Sequence, residues 1–274
     1  MDHTSQQIKN AACQAIAMGI NPRAVFLDVG AMDGPVLPQF RYLCSNQLIK
    51  YIGIEPQKEE CEKLKKMFPD GIFIDEAVGN EVGVKNLNIT LSPACSSILI
   101  PNNEILSNYP ISTCFEIKSQ ESVALTTIER LIDSGKIPLP DYVKCDAQGY
   151  DFEVLQGCGR YLNDISAIEV ECQFKQIYKD QKTFFEIKIF LESFGFILRD
   201  LKHQGAFEYE VVELNAFFSK RPSDNLDKLM KIKLWEFASD INSPLSFAQL
   251  KKSNNHSPIF SRVTTDMEKT VMFV

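Results

Sequence analysis

Three short apolar runs, spaced by helix-length segments, constrain the first third of this chain more than any other feature. Residues 25–29 (VFLDV), 51–56 (YIGIEP) and 71–79 (GIFIDEAVG) have the length and apolar density of buried strands. Between them, residues 38–46 and the charged stretch 57–68 read as helices, the second amphipathic. A β-α-β-α-β order leaves little choice of topology, because parallel neighbours can be joined only through a crossover and the crossover is right-handed. The expectation is an α/β protein built on a mostly parallel sheet.

The remainder extends this pattern. Residues 85–92 (KNLNITLS) alternate like a half-exposed strand, and residues 93–122 are polar and proline-punctuated, which predicts a loop-rich insertion or lid. TTIERLIDSG reads as a helix, residues 141–147 (DYVKCDA) as a buried strand, DFEVLQGCGRYL as a helix and SAIEVECQF as a strand. A helix over 182–194 precedes FILRDLKH and YEVVELNAFFSK. That last pair has no room for a crossover helix, so it should be an antiparallel hairpin. Residues 5–19 read as a helix closed by Asn21-Pro22, and beyond Arg221-Pro222 the stretch NLDKLMKIKLWEFASDI is helical again, with an apolar stripe suited to packing on the core. The chain thus divides into an N-terminal helix (1–23), a domain (24–220) and a C-terminal helical extension (221–274).

Charge and cysteine usage weigh against whole classes. A net charge of −7 gives no bulk attraction to phosphate backbones or anionic lipid, which argues against nucleic acid and membrane as partners. Eight cysteines, with no CxxC pair and only three histidines beside them, read as reduced buried thiols and not as a zinc site. The first twenty residues include Asp2 and Lys9, and no apolar run reaches the ~20 residues of a membrane span. A cytosolic (cytoplasmic) protein is expected, in which the sequon at Asn88 would stay unmodified.

FLDVGAMDGP (residues 26–35) carries the first chemistry. Gly30 and Gly34 make a turn after the first strand, but the third glycine of a GxGxxG nucleotide loop is missing and Asp33 sits inside the turn. Asp28 and Asp33 would repel a pyrophosphate and attract a cationic ligand, which favours S-adenosylmethionine over a nucleotide phosphate. A plain strand-to-helix turn with solvated acids is the alternative. Glu55, followed by Pro56 at the end of the second strand, can accept both hydroxyls of a ribose, although dehydrogenases place an acid there too. Asp75-Glu76-Ala77 ends the third strand where an adenine amine could be met. In DYVKCDAQGYDFEVLQG, Asp146, Gln148, Gly149 and Asp151 follow a buried strand at its carboxyl end, where open α/β sheets bind ligands, and Asp151 could equally cap the next helix.

Asp146, Gln148, Gly149, Asp151, Val154, Leu155 and Gly157 fit the pattern D-x-[EQ]-G-x-[ED]-x-x-V-L-x-G, and here the sequence resembles the FkbM-type family of S-adenosylmethionine-dependent methyltransferases. AVGNEVG, CSSIL, LTTIERLI, IEVECQFKQIY, FLESFGF and LNAFFSK follow in the family's order, so the resemblance covers residues 24–220. Asp33 stands where many relatives have Asn, and Gln148 where many have Glu. The resemblance implies a three-layer class I methyltransferase (Rossmann-like) fold: a mostly parallel seven-stranded sheet with the last strand antiparallel, here carrying a C-terminal helical appendage. It implies S-adenosylmethionine as methyl donor, with Asp28, Gly30, Asp33 and Gly34 around the methionine moiety, Glu55 and Pro56 at the ribose, Glu76 with Ala77 on the adenine side, and Asp146 also among the donor-binding residues. Ser96 and Ser97 match a serine pair near the pocket rim.

Methyl transfer from a sulfonium is an in-line displacement, so alignment is the protein's main task and a general base assists a hydroxyl acceptor. Asp146 is the first candidate base; Glu171 and Glu169 on the next strand follow, and His203 is a surface histidine. Asp146 with Glu171 could hold a divalent metal, but no spacing calls for one and no metal ligands are assigned. The expected activity is O-methylation of a hydroxyl on a sugar, glycan or small natural product, the acceptor class resting on the resemblance alone. The alternative is a methyltransferase-like binding or scaffolding module without turnover.

Overall fold

The computed structural model describes residues 24–203, 207–221 and 225–241, so the helix expected over 1–23 and the end of the C-terminal extension lie outside the described residues. The first half follows the β-α-β-α-β order: β1 (Val25–Val29), α1 (Pro38–Ser45), β2 (Lys50–Ile54), α2 (Lys58–Met67) and β3 (Ile72–Ile74). α1 starts on Pro38, whose missing N–H costs nothing in a first turn. α2 carries Glu59 and Glu60 in its first turn and Lys65 and Lys66 in its last, each sign matching the helix dipole, and it buries Cys61 and Leu64.

Next come β4 (Ala77–Val78), β5 (Gly83–Thr90), the single-turn α3 (Asn103–Leu106), β6 (Ile117–Thr126) and α4 (Ile128–Asp133). The Thr127 hydroxyl caps α4 by accepting from the Arg130 N–H at 3.0 Å. The chain continues through β7 (Tyr142–Cys145), α5 (Asp151–Gln156), β8 (Ala167–Gln173), α6 (Phe184–Ser193), β9 (Phe196–His203), β10 (Glu213–Lys220) and α7 (Leu226–Ala238). A Thr183–Glu186 capping box starts α6.

The main sheet has seven strands in the order β3-β2-β1-β7-β8-β10-β9. β10 is antiparallel to both β8 and β9, and the other pairings are parallel, which is the class I methyltransferase topology. β8 is buried at all seven positions, as a strand covered on both faces must be. Leu27, Val29, Val143 and Val170 share one core with Val154 and Leu155 of α5 and Ile187 and Leu191 of α6. On the opposite face the contacts are aromatic: Phe26 stacks on Phe40 of α1 at 4.4 Å, Tyr51 meets Phe68 at 5.0 Å, and Phe217 meets Trp235 of α7 at 6.3 Å.

Several local expectations change. Residues 117–126, read as part of a loop-rich insertion, form the long strand β6, antiparallel to β5 in a second sheet of order β4-β6-β5. Six successive exposed residues open β6, so its sequence shows no buried face and no period to read. GIFIDEAVG divides between the two sheets, β3 pairing with β2 and β4 with β6. α7 falls in the expected extension, yet the described residues up to Ser239 form one compact unit, with the Arg199–Glu236 ion pair buried at 2.6 Å. The sequon's Asn88 is 2% exposed, its amide donating to the carbonyls of Ser97 and Leu99 at 3.1 and 3.0 Å. The seven described cysteines are free, five of them buried. Among the described residues no helix is long and apolar enough to cross a membrane.

Candidate active site

A cavity of about 420 Å³ opens at the carboxyl ends of β1, β2, β7 and β8, within the ~300–1,000 Å³ usual for small-molecule sites. Gly30 starts its floor. Its N–H donates to the Ile54 carbonyl at 3.0 Å, its φ is +74°, and a Cβ there would lie 2.0 Å from the Asp146 carbonyl oxygen. Only glycine lets the exits of β1 and β7 approach this closely. Asp33, with φ 62°, is a non-glycine residue in the left-handed region. The Arg41 guanidinium holds that turn by donating to the Asp33 carbonyl at 2.6 Å and the Pro35 carbonyl at 3.1 Å.

Gly30, Asp33, Gly34, Glu55, Pro56, Ala77, Asp146 and Glu171 all line the cavity. Glu55 is 4% exposed, accepts from the Gln57 N–H at 2.9 Å, and is pushed up to about 7 by burial, which outweighs that bond. Asp28 and Glu76 stand elsewhere. Asp28 is 1% exposed and lies behind the lining, accepting from the Tyr51 hydroxyl at 3.1 Å. Burial raises its carboxyl despite Lys144 and Tyr51, and its Oδ1 has no hydrogen-bond partner. Glu76 is turned away to Lys136, 2.8 Å distant, so Ala77 and Val78 border the cavity and the carboxylate does not.

The densest chemistry surrounds Asp146. Lys144, two positions earlier on the same strand face, reaches Asp146 Oδ2 at 3.0 Å and Asp28 Oδ1 at 3.5 Å. Gln148, also left-handed at φ 50°, donates from Nε2 to Asp146 Oδ1 at 3.0 Å and to Glu171 Oε2 at 2.7 Å. Its Oε1 lies 3.0 Å from the Tyr178 hydroxyl, and its backbone carbonyl accepts from Ser97 Oγ at 2.6 Å. The amide direction follows from these partners, since a flip would turn oxygen toward the Asp146 carboxylate.

Burial works against an ionised Asp146, but the Lys144 ammonium and the bonds from Lys144, Gln148 and Glu171 outweigh it and hold the carboxyl below its ordinary value. Glu171 is driven well above the carboxylate range by burial and then by the Asp146 and Glu213 charges. The pair therefore shares one proton, which resides on Glu171. Lys144 stays protonated although burial opposes it, because Asp146 and Asp28 face it.

The other expected residues differ in where they stand relative to the cavity. Asp151 does not cap α5 from outside: it is the first helical residue, and its carboxylate accepts from the N–H groups of Ala147 at 2.8 Å and Gly149 at 3.0 Å. Glu169 is 5% exposed, accepts from Asn215 at 3.2 Å and does not line the cavity. His203 is exposed at the end of β9. Ser96 and Ser97 reach the wall. Between Asp146 and Glu171, the pair that could bridge a cation, the Gln148 amide nitrogen donates to both. Among the described residues no group of three or more His, Cys, Asp and Glu side chains is arranged to hold a metal ion.

Lys144, Tyr178, Glu213 and Phe207 were not singled out from sequence. Lys144 could have been found, because alternation puts it on the face of Asp146 and two buried acids demand a cation. Tyr178, Glu213 and Phe207 come from elements far along the chain and carry no local signal.

A family model described as the methyltransferase FkbM domain matches residues 28–198. Hexuronic acid methyltransferase AglP of Haloferax volcanii is 33% identical over 58 residues, covering 20% of this chain and 24% of that protein, so the match spans about a quarter of its length. Magnesium protoporphyrin IX methyltransferase (ChlM) from Synechocystis PCC 6803, solved with bound S-adenosylmethionine, gives a TM-score of 0.38 at 11% identity over 78% of each chain. A TehB-like S-adenosylmethionine-dependent methyltransferase from Corynebacterium glutamicum gives 0.35 at 15% identity, over 79% of this chain and all of that one.

Proposed function

The chain belongs to the FkbM methyltransferase family, and on that premise we propose that it transfers a methyl group from S-adenosylmethionine to a hydroxyl of a sugar, glycan or small natural product. The observation that carries the reading is an Asp146 carboxylate kept ionised at the cavity floor, beside a turn whose glycine only a close backbone approach explains. The donor set suits a cationic ligand: Asp33, Glu55 and Asp146 line the cavity, and Lys144 is already engaged by Asp146 and Asp28. Gly30, Asp33 and Gly34 would hold the methionine end, Glu55 the ribose hydroxyls, and Ala77 with Val78 the adenine side. When bound, S-adenosylmethionine supplies a methyl carbon activated by its sulfonium.

This chain's residues do the rest. The walls fix the acceptor hydroxyl in line, and such alignment supplies on the order of 7–11 kcal/mol. Asp146 receives the hydroxyl proton, a role worth ~10²–10⁴-fold. Gln148 and Lys144 hold Asp146 as a carboxylate until then, and Glu171, already protonated, does not compete for the proton. Support for a sugar acceptor comes from the short match to a hexuronic acid methyltransferase.

Calorimetric titration with S-adenosylmethionine and its demethylated product tests the donor, with binding expected for both. Asp146→Asn tests the chemistry: turnover should drop by ~10²–10⁴-fold while donor binding survives. Donor binding lost together with turnover would remove Asp146 from the role of base.

A further inference from the structure

Away from the glycine turn, the cavity runs between residues 93–98, the 3-10 segment Pro110–Phe115, Phe207 and the start of β10. One side of this end is apolar. Ile111, Phe115 and Phe207 belong to one hydrophobic cluster, and both rings are held edge-on, Phe115 against Tyr178 at 5.7 Å and Phe207 against Tyr109 at 5.1 Å. The other side is polar: Glu171, which carries its proton, beside Gln148, and Glu213, whose Oε2 accepts from Gln173 at 3.2 Å. Among the described residues Lys144 is the one cationic side chain on the cavity wall, and its ammonium is engaged by Asp146 and Asp28.

A ligand entering this end gives up water. A hydroxyl or ammonium group regains its hydrogen bonds on Glu213 or Glu171. A carboxylate or phosphate would meet the Glu213 carboxylate with no free cation among the described wall residues to pair with, and an unpaired charge in such a place is strongly disfavoured. Ile111, Phe115 and Phe207 give this end apolar surface that suits the C–H side of a polyol.

We propose, building on the hydroxyl-methylation reading, that the acceptor is an uncharged or amino-bearing sugar-like polyol with an apolar face, and that Glu213 is the residue that rejects carboxylate- and phosphate-bearing acceptors. Glu213 acts here as a specificity determinant, by repulsion of the wrong ligand as much as by bonding to the right one.

The test uses the full chain with labelled S-adenosylmethionine and three matched probes: p-nitrophenyl glucoside, its 6-carboxylate counterpart p-nitrophenyl glucuronide, and p-nitrophenyl glucosaminide. Methyl incorporation gives kcat/KM, and calorimetry on the chain loaded with S-adenosylhomocysteine gives binding without turnover. The glucoside and glucosaminide should exceed the glucuronide by about 100-fold, the scale of a buried like-charge contact. Glu213→Gln, with its fold verified by donor binding, should shrink that gap about tenfold, mainly through KM of the glucuronide. A glucuronide accepted as well as the glucoside, a gap unchanged in Glu213→Gln, or no binding and no methylation of any probe overturns the proposal. Donor titration separates the levels: if S-adenosylmethionine fails to bind, the underlying reading falls as well, whereas donor binding with no charge preference overturns this proposal and leaves the methyl-transfer reading standing.

Discussion

Lys144 divides one positive charge between Asp146 at 3.0 Å and Asp28 at 3.5 Å, and the ionisation of the floor depends on it. Lys144→Met would leave the buried Asp28 and the part-exposed Asp146 without their cation, so a loss of about 2–3 kcal/mol is expected in chemical denaturation. A subtler residue is Tyr178, fully buried, whose hydroxyl lies 3.0 Å from Gln148 Oε1 and 2.9 Å from the Cys95 carbonyl. Tyr178→Phe leaves packing intact but frees the Gln148 amide, whose donation helps keep Asp146 ionised. The acid limb of the kcat–pH profile should then move to higher pH, with kcat down by roughly 5-fold, the equivalent of about 1 kcal/mol. An unmoved limb would mean that Tyr178 only fills space. At this scale the sequence was readable where chemistry followed a strand: the exits of β1, β2 and β7 supplied Gly30, Glu55 and Asp146. It was unreadable where parity decides, as at Glu76, which lies between the three-residue β3 and the two-residue β4, strands too short to show which way a side chain points.

At the scale of elements, burial on both faces is what made the parallel strands legible, because β2 and β8 then read as continuous apolar or enclosed runs. β6 lacked that signal. Its side chains are solvated on both faces over six residues, and only the backbone pairing with β5 reveals it. α7 shows the converse: its apolar stripe was visible, yet the stripe alone does not tell an appendage from a core helix. Trp235, 1% exposed against Phe217, decides for the core. Trp235→Ala should therefore cost about 3–5 kcal/mol, read from thermal or urea unfolding. A loss below 1 kcal/mol would return α7 to the periphery. β10 was predictable for a topological reason, since too few residues separate it from β9 for a crossover.

For the whole molecule, the site makes stability depend on pH in a definite direction. Burial lifts Glu55, Asp151 and Glu169 to about 7 from ordinary values of 4.5, 3.8 and 4.5. An acid whose folded pKa lies above its unfolded one binds protons more tightly when folded. Its contribution is full below the unfolded value and is lost as pH climbs toward the folded one. Asp146 has the opposite sign, but its window lies at and below the ordinary 3.8 and does not overlap the physiological range. The ligand-free chain should thus lose stability steadily from about pH 4.5 to 7.5, each fully shifted group contributing at most roughly 3–4 kcal/mol. Glu169→Gln, away from the cavity, should flatten the slope without touching donor binding. A cation bound beside Glu55 compensates the charge that appears as pH rises, so S-adenosylmethionine should raise Tm more at pH 8 than at pH 5.5. Differential scanning fluorimetry across this range reads both effects, and a Tm that climbs from pH 5.5 to 8 without ligand would mean that these acids are paired, and not stranded, in the folded chain.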